Sequence, residues 1–123
     1  MRAAEEETIL LVDSDAVGRA LIGDYLRGCG YRVLEAGTIA EAKQALGQQA
    51  VDIAVVDVAL REESGFELAA WIRTSRPQVR VILTGSVERA ASLAGDLCDE
   101  GPELMRPFHP QQLLDRIKRL RRR

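Results

Sequence analysis

Apolar residues in this chain fall in two alternating patterns. Short continuous runs, such as Ile9-Leu10-Leu11-Val12 and Ile53-Ala54-Val55-Val56, give way to stretches in which apolar residues recur every three or four positions. The first pattern reads as strands buried on both faces, the second as amphipathic helices. In order, the chain predicts a strand over Thr8–Asp13 and a helix to about Gly28. Val17, Leu21 and Tyr25, with Ile22, Leu26 and Cys29, would form its buried face. Ser14 has the chemistry of its cap, with Asp15 in its first turn. A second strand, Tyr31–Ala36, is interrupted by Arg32 and Glu35 and suits an edge. Thr38-Ile39-Ala40-Glu41 is a capping-box pattern that opens a helix with Ala42, Ala45 and Leu46 inward, closed by Gly47.

The third strand ends at Asp57, and a loop follows over Val58–Glu63. Ser64-Gly65-Phe66-Glu67 is another capping-box pattern. The helix behind it carries Leu68, Trp71 and Ile72, and Pro77 stops it. A fourth strand begins at Val79 and ends at Thr84. A weaker helix then carries Val87, Ala90, Ala91, Ala94 and Leu97, with Gly95 inside it. Glu103-Leu104-Met105 is a short fifth strand. Pro107-Phe108-His109-Pro110 turns into a last helix with Leu113, Leu114, Ile117 and Leu120 on one face. Strands alternating with helices imply a doubly wound parallel α/β sheet with right-handed crossovers. With the most apolar strands central, the expected order is 2-1-3-4-5 across five strands and five helices.

Composition narrows the class. A chain of 123 residues, 46% apolar and 29% charged, is one ordinary globular domain, with a core of about 8–120, a polar leader over 1–7 and a basic end over 121–123. Nothing in it approaches a membrane span or a secretory signal. Cys29 and Cys98 lack metal-type spacing and are expected to be reduced thiols in a cytoplasmic protein. The net charge of −2 hides an acidic start (Glu5-Glu6-Glu7) and a basic end (Arg116 to Arg123). Cations there complement a helix dipole. Without interleaved aromatics or a recognition helix, they argue against a nucleic-acid partner.

The candidate chemistry sits at the strand ends. In the expected order, Asp13 and Asp57 meet at the switch point, where open α/β sheets bind ligands, and Thr84 is close by. Two carboxylates at about 4 Å in an effective dielectric of about 20 repel by about 4 kcal/mol, so the site calls for a proton, a cation or a basic side chain. Oxygen donors without His or Cys favour Mg2+. A carboxylate can also attack phosphorus. Catalysis then rests on a cation and donors around the phosphoryl oxygens, such as the Thr84 hydroxyl and Arg106. No glycine-rich loop follows the first strand, which argues against a nucleotide or flavin binder.

Leu11-Val12-Asp13, Val55-Val56-Asp57, Gly65 eight positions on, Leu83-Thr84-Gly85 and Arg106-Pro107-Phe108 together resemble the receiver domain of two-component response regulators. The resemblance spans about Thr8 to Leu120 and implies a flavodoxin-like fold. It implies Asp57 as the phosphoacceptor, loaded by a sensor histidine kinase with Mg2+. It also implies Asp13 and the Ala59 main-chain carbonyl as metal ligands, and Thr84 as a switch hydroxyl. Such a domain is regulatory, at most self-catalysing phosphoryl transfer to and from Asp57. Its downstream protein partner would dock between the fourth strand and the fifth helix, and dimerisation through the last two helices is left open. Four positions depart from the family pattern. Ser14 replaces the second acid, so Ser14 or Asp15 would complete the metal set. Arg106 replaces a lysine, Glu103 the switch aromatic, and Arg61 a proline. Gly65 and Pro107 serve turns. The alternative is a degenerate receiver, a phosphorylation-independent interaction module in which Arg106 neutralises the acids.

Overall fold

Every residue of the first strand, β1 (Thr8–Val12), is buried, because the sheet is covered on both sides. The computed structural model describes residues 7–100 and residue 115. After β1 come α1 (Ala16–Gly28), β2 (Arg32–Ala36), α2 (Ile39–Gln48) and β3 (Ile53–Asp57). A small hairpin follows, β4 (Ala59–Leu60) and β5 (Glu63–Ser64), and then α3 (Gly65–Ser75), β6 (Arg80–Thr84) and α4 (Val87–Glu100). The main sheet is parallel throughout, in the order β2-β1-β3-β6. This is the doubly wound flavodoxin-like α/β fold, with the charged β2 at an edge as its sequence suggested. The fifth strand and last helix expected over 103–105 and 113–120 lie outside the described residues, apart from Asp115, which is helical and exposed.

Alternate residues of β1 face opposite ways and build two cores. Ile9 and Leu11 pack with α1 and α4, through Ile22, Tyr25, Leu26 and Ala94. Leu10 and Val12 pack with α2 and α3, through Ala42, Leu46, Leu68 and Ile72. The helix starts follow the capping chemistry. Thr38 Oγ1 accepts the Glu41 N–H at 3.1 Å, and the Glu41 carboxylate accepts the Gly37 N–H at 2.7 Å. Ser64 Oγ accepts the Phe66 N–H at 3.2 Å.

Several expectations are corrected. Asp15, not Ser14, caps α1, accepting the Gly18 N–H. Val17 is 45% exposed and so does not belong to the buried face of α1. Helix α2 runs through Gly47 to Gln48. Residues 58–63 are not a plain loop but include most of the β4–β5 hairpin.

The cysteines are not free thiols: Cys29 and Cys98 form a disulfide, with Cα atoms 5.6 Å apart. They stand 69 residues apart in sequence, and only the packing of α4 beside α1 brings them together. Closing a loop of that length removes about 4 kcal/mol of unfolded-state entropy in the chain-entropy treatment.

Candidate functional site

The register of the sheet places the chemistry. Val12 pairs with Val56, so Asp13 and Asp57 leave adjacent strands side by side. Asp57 in turn pairs with Thr84. The two carboxylates are half-buried, whereas Thr84 is only 4% exposed. Three backbone bonds hold the strand ends in line. Asp13 N–H reaches Ala36 O at 3.0 Å, Val58 N–H reaches Thr84 O at 2.9 Å, and Gly65 N–H reaches Val58 O at 2.9 Å.

Each acid also folds its own loop. Asp13 Oδ1 accepts the Asp15 N–H at 2.9 Å, and Asp57 Oδ1 accepts the Ala59 N–H at 3.0 Å. Such side-chain-to-backbone bonds two residues on are the Asx-turn habit of aspartate. Ser14 turns away from its helix. Its Oγ accepts the Arg61 N–H at 3.2 Å, joining the loop after β1 to the turn of the hairpin. That turn includes Glu62 with φ 61°, and Glu63 accepts the Ile39 N–H at 3.1 Å, so the hairpin also caps α2. Leu60 anchors the hairpin in the α2/α3 core.

Gly65 has a role that its turn position did not reveal. A Cβ there would lie 2.0 Å from the Asp57 carbonyl oxygen and 2.8 Å from Val58 Cα. The start of α3 is therefore pressed directly against the backbone of the candidate acceptor, and only a residue without a side chain fits.

Arg19 was missed by sequence reasoning. Its Nη1 donates to the Asp13 carbonyl at 2.7 Å and its Nε to Glu35 at 3.0 Å. With Asp13, Leu11, Thr84 and Ala90 it lines a void of about 20 Å3 beneath the site. Arg27 reaches the other oxygen of Glu35 at 3.2 Å. The only signal was Glu35 itself, a charge interrupting an apolar strand, which also reads as a plain edge feature. Arg106, Glu103 and Pro107 lie outside the described residues, as do His109 and the basic end.

The oxygens that the register brings together at the strand ends are the Asp13 and Asp57 carboxylates and the Thr84 hydroxyl, all hard donors. Among the described residues no three or more His, Cys, Asp or Glu side chains group to hold a metal. Two carboxylates completed by water and phosphate oxygens nevertheless suit Mg2+, which keeps most of its waters. No helix among the described residues is long and apolar enough to cross a membrane.

Fold and site together define a doubly wound α/β domain with two carboxylates side by side at the carboxyl edge of its sheet. Comparison with known proteins makes the class specific. Residues 9–118 match the response regulator receiver domain. The chain is 36% identical over 124 residues to the transcriptional regulatory protein GltR of Pseudomonas aeruginosa, covering 98% of this chain and 51% of that protein. It is 30% identical to the phosphate regulon transcriptional regulatory protein PhoB of the same organism, over 95% of this chain and 52% of PhoB. Among solved structures, it resembles a CheY-like receiver domain protein from Methanospirillum hungatei, with a TM-score of 0.63 and 27% identity over 94% of this chain and 93% of that one. The chain belongs to the response regulator receiver family, the signalling domains of two-component phosphorelays. It spans about half the length of the curated relatives it matches.

Proposed function

We propose that Asp57 is the phosphoacceptor of this receiver and that a sensor histidine kinase loads it. The observation that carries this reading is the register that sets Asp57 between Asp13 and Thr84 at three neighbouring strand ends. The Ala59 N–H holds Oδ1 of Asp57, which leaves Oδ2 as the attacking oxygen. Oδ2 bonds to phosphorus as the phosphorus–nitrogen bond of the donor breaks and the imidazole departs. The Thr84 hydroxyl donates to a phosphoryl oxygen, and Arg106 supplies a cation in the same role. Asp13, Asp57 and the Ala59 carbonyl would hold Mg2+, with Ser14 or Asp15 completing the set. The ion would neutralise charge building on the phosphoryl oxygens.

Phosphorylation adds about −1.5 to −2 charge to the pocket. Thr84 and the segment after it respond, shifting an existing equilibrium of the fourth-strand to fifth-helix face, where a downstream protein docks. The cytoplasm, where such kinases present their phosphohistidine, is the proposed compartment.

The test is intact mass after incubation with a small-molecule acyl phosphate and Mg2+, with Asp57→Asn as the control. A gain of one phosphoryl group in the wild type alone is expected. No gain by a folded wild type would overturn the reading in favour of a phosphorylation-independent module.

A further inference from the structure

Helix α4 packs on the α1 face of the sheet, opposite α2 and α3, and buries Ala90, Ala91, Ala94 and Leu97 there. Strand β6 is apolar and only half-buried on both faces, through Ile82 on the α1 side and through Val81 and Leu83 on the α3 side. The domain therefore offers two seats for one helix.

Two ties hold α4 in the seat observed, and both grip its last turns. One is the Cys29–Cys98 disulfide. The other is the bond from the Tyr31 hydroxyl to the Leu97 carbonyl, 2.6 Å long and buried. We propose that Cys29–Cys98 is a thiol–disulfide exchange site that selects the seat of α4. Oxidised, it locks α4 beside α1. Reduced, it releases α4 toward the α3 face, over Val81 and Leu83. The helix follows Thr84 by only Gly85 and Ser86, so the segment behind the strand end moves with it.

The exchange partner is a dithiol. One of its thiolates attacks a cysteine sulfur, breaking the protein disulfide and forming a mixed disulfide. Its second thiol displaces that bond and closes the reductant's own disulfide. Two electrons and two protons pass to Cys29 and Cys98, which are left as thiols. Both cysteines are nearly sealed, at 2% and 3% exposure, so the reductant enters only as the end of α4 lifts. Disulfides in reducing compartments are characteristically transient or redox-sensing, which suits the cytoplasmic setting proposed above. The compartment bears only on which reductant acts in the cell; the switch itself does not depend on Asp57 chemistry.

The experiment uses the full chain, oxidised with glutathione disulfide, and then with dithiothreitol. Alkylation in denaturant should find no thiol before reduction and two after it. Hydrogen exchange over residues 90–98 should quicken by about ten-fold on reduction, with β1 and β3 unchanged. Hydroxyl-radical footprinting should show Tyr31 labelled more and Leu83 less. A Cys29→Ala/Cys98→Ala variant should match the reduced protein; if it fails to fold, the reduced wild type carries the comparison. Two thiols in the oxidised sample would overturn the bridge. Unchanged exchange in α4 would overturn the lock. Loss of protection throughout β1 and β3 would make the bridge a staple of the whole fold instead. Loosening without added cover on Leu83 would overturn the second seat. Phosphoryl uptake enters none of these readouts, so they stand apart from the test of Asp57.

Discussion

Replacing Gly65 by alanine tests whether the start of α3 positions the acceptor. The new Cβ would stand 2.0 Å from the Asp57 carbonyl oxygen, and real Cβ atoms essentially never come closer than 3.0 Å. The gap must widen by at least 1 Å, and backbone lies on both sides of it. Neither side is a flexible side chain that could swing away. Forced overpacking of this kind costs about 1–3 kcal/mol. The Gly65 N–H to Val58 O bond bridges the same gap, and its loss adds about 1 kcal/mol. The expected destabilisation is about 2–4 kcal/mol, read as a lower urea midpoint at unchanged slope. A reactive group displaced by about 1 Å can lose about a hundred-fold in rate, so phosphoryl uptake from an acyl phosphate should fall well beyond the loss of folded protein. Gly47→Ala is the internal control. Nothing lies within 4 Å of its Cβ, and it sits in an exposed turn of α2. That variant should gain about 0.5–1 kcal/mol by helix propensity. A Gly65→Ala protein within about 0.5 kcal/mol of wild type, with normal uptake, would refute the close approach.

Tyr31→Phe leaves the Leu97 carbonyl without its buried hydroxyl donor and should cost about 1–3 kcal/mol in urea unfolding. Arg19→Ala removes the bond to the Asp13 carbonyl and half of the Glu35 network. A loss of about 1–3 kcal/mol is expected, together with faster exchange at Asp15, whose N–H rests on the Asp13 side chain. A wild-type exchange rate there would dismiss Arg19 as a positioning residue. Ser14→Asp supplies a second acid beside Asp13. Calorimetric titration should show Mg2+ binding strengthened by about ten-fold or more, and no change would mean that the hydroxyl position does not face the ion.

The order of elements was legible because strand and helix periods differ and each helix carries its cap in the sequence. Thr38 and Ser64 cap the helices they were expected to cap. The parallel order β2-β1-β3-β6 followed from the alternation of strands with helices, the apolar character of β1, β3 and β6, and the polarity of β2. The meeting of Asp13, Asp57 and Thr84 at one sheet edge was legible because each closes an apolar run, and parallel strands bring such ends together. These features are local, or depend only on the direction of the chain.

What the tertiary structure decided depends on contacts between residues distant in sequence. Ser14 and Asp15 both have capping chemistry, and the Arg61 N–H, 47 residues from Ser14, settles which of them caps α1. Gly65 looks like any turn glycine until the Asp57 carbonyl is set against it. Arg19 carries no motif, and its role appears only where β2 brings Glu35 alongside. Cys29 and Cys98 read as separate thiols, since spacing says nothing about a pair joined across two helices. Periodicity fixes which side of a helix is apolar. It does not fix which face of the sheet that side will cover, because both faces of β6 offer apolar residues. For α4, the packing against α1, the Tyr31 hydroxyl and the disulfide made that choice.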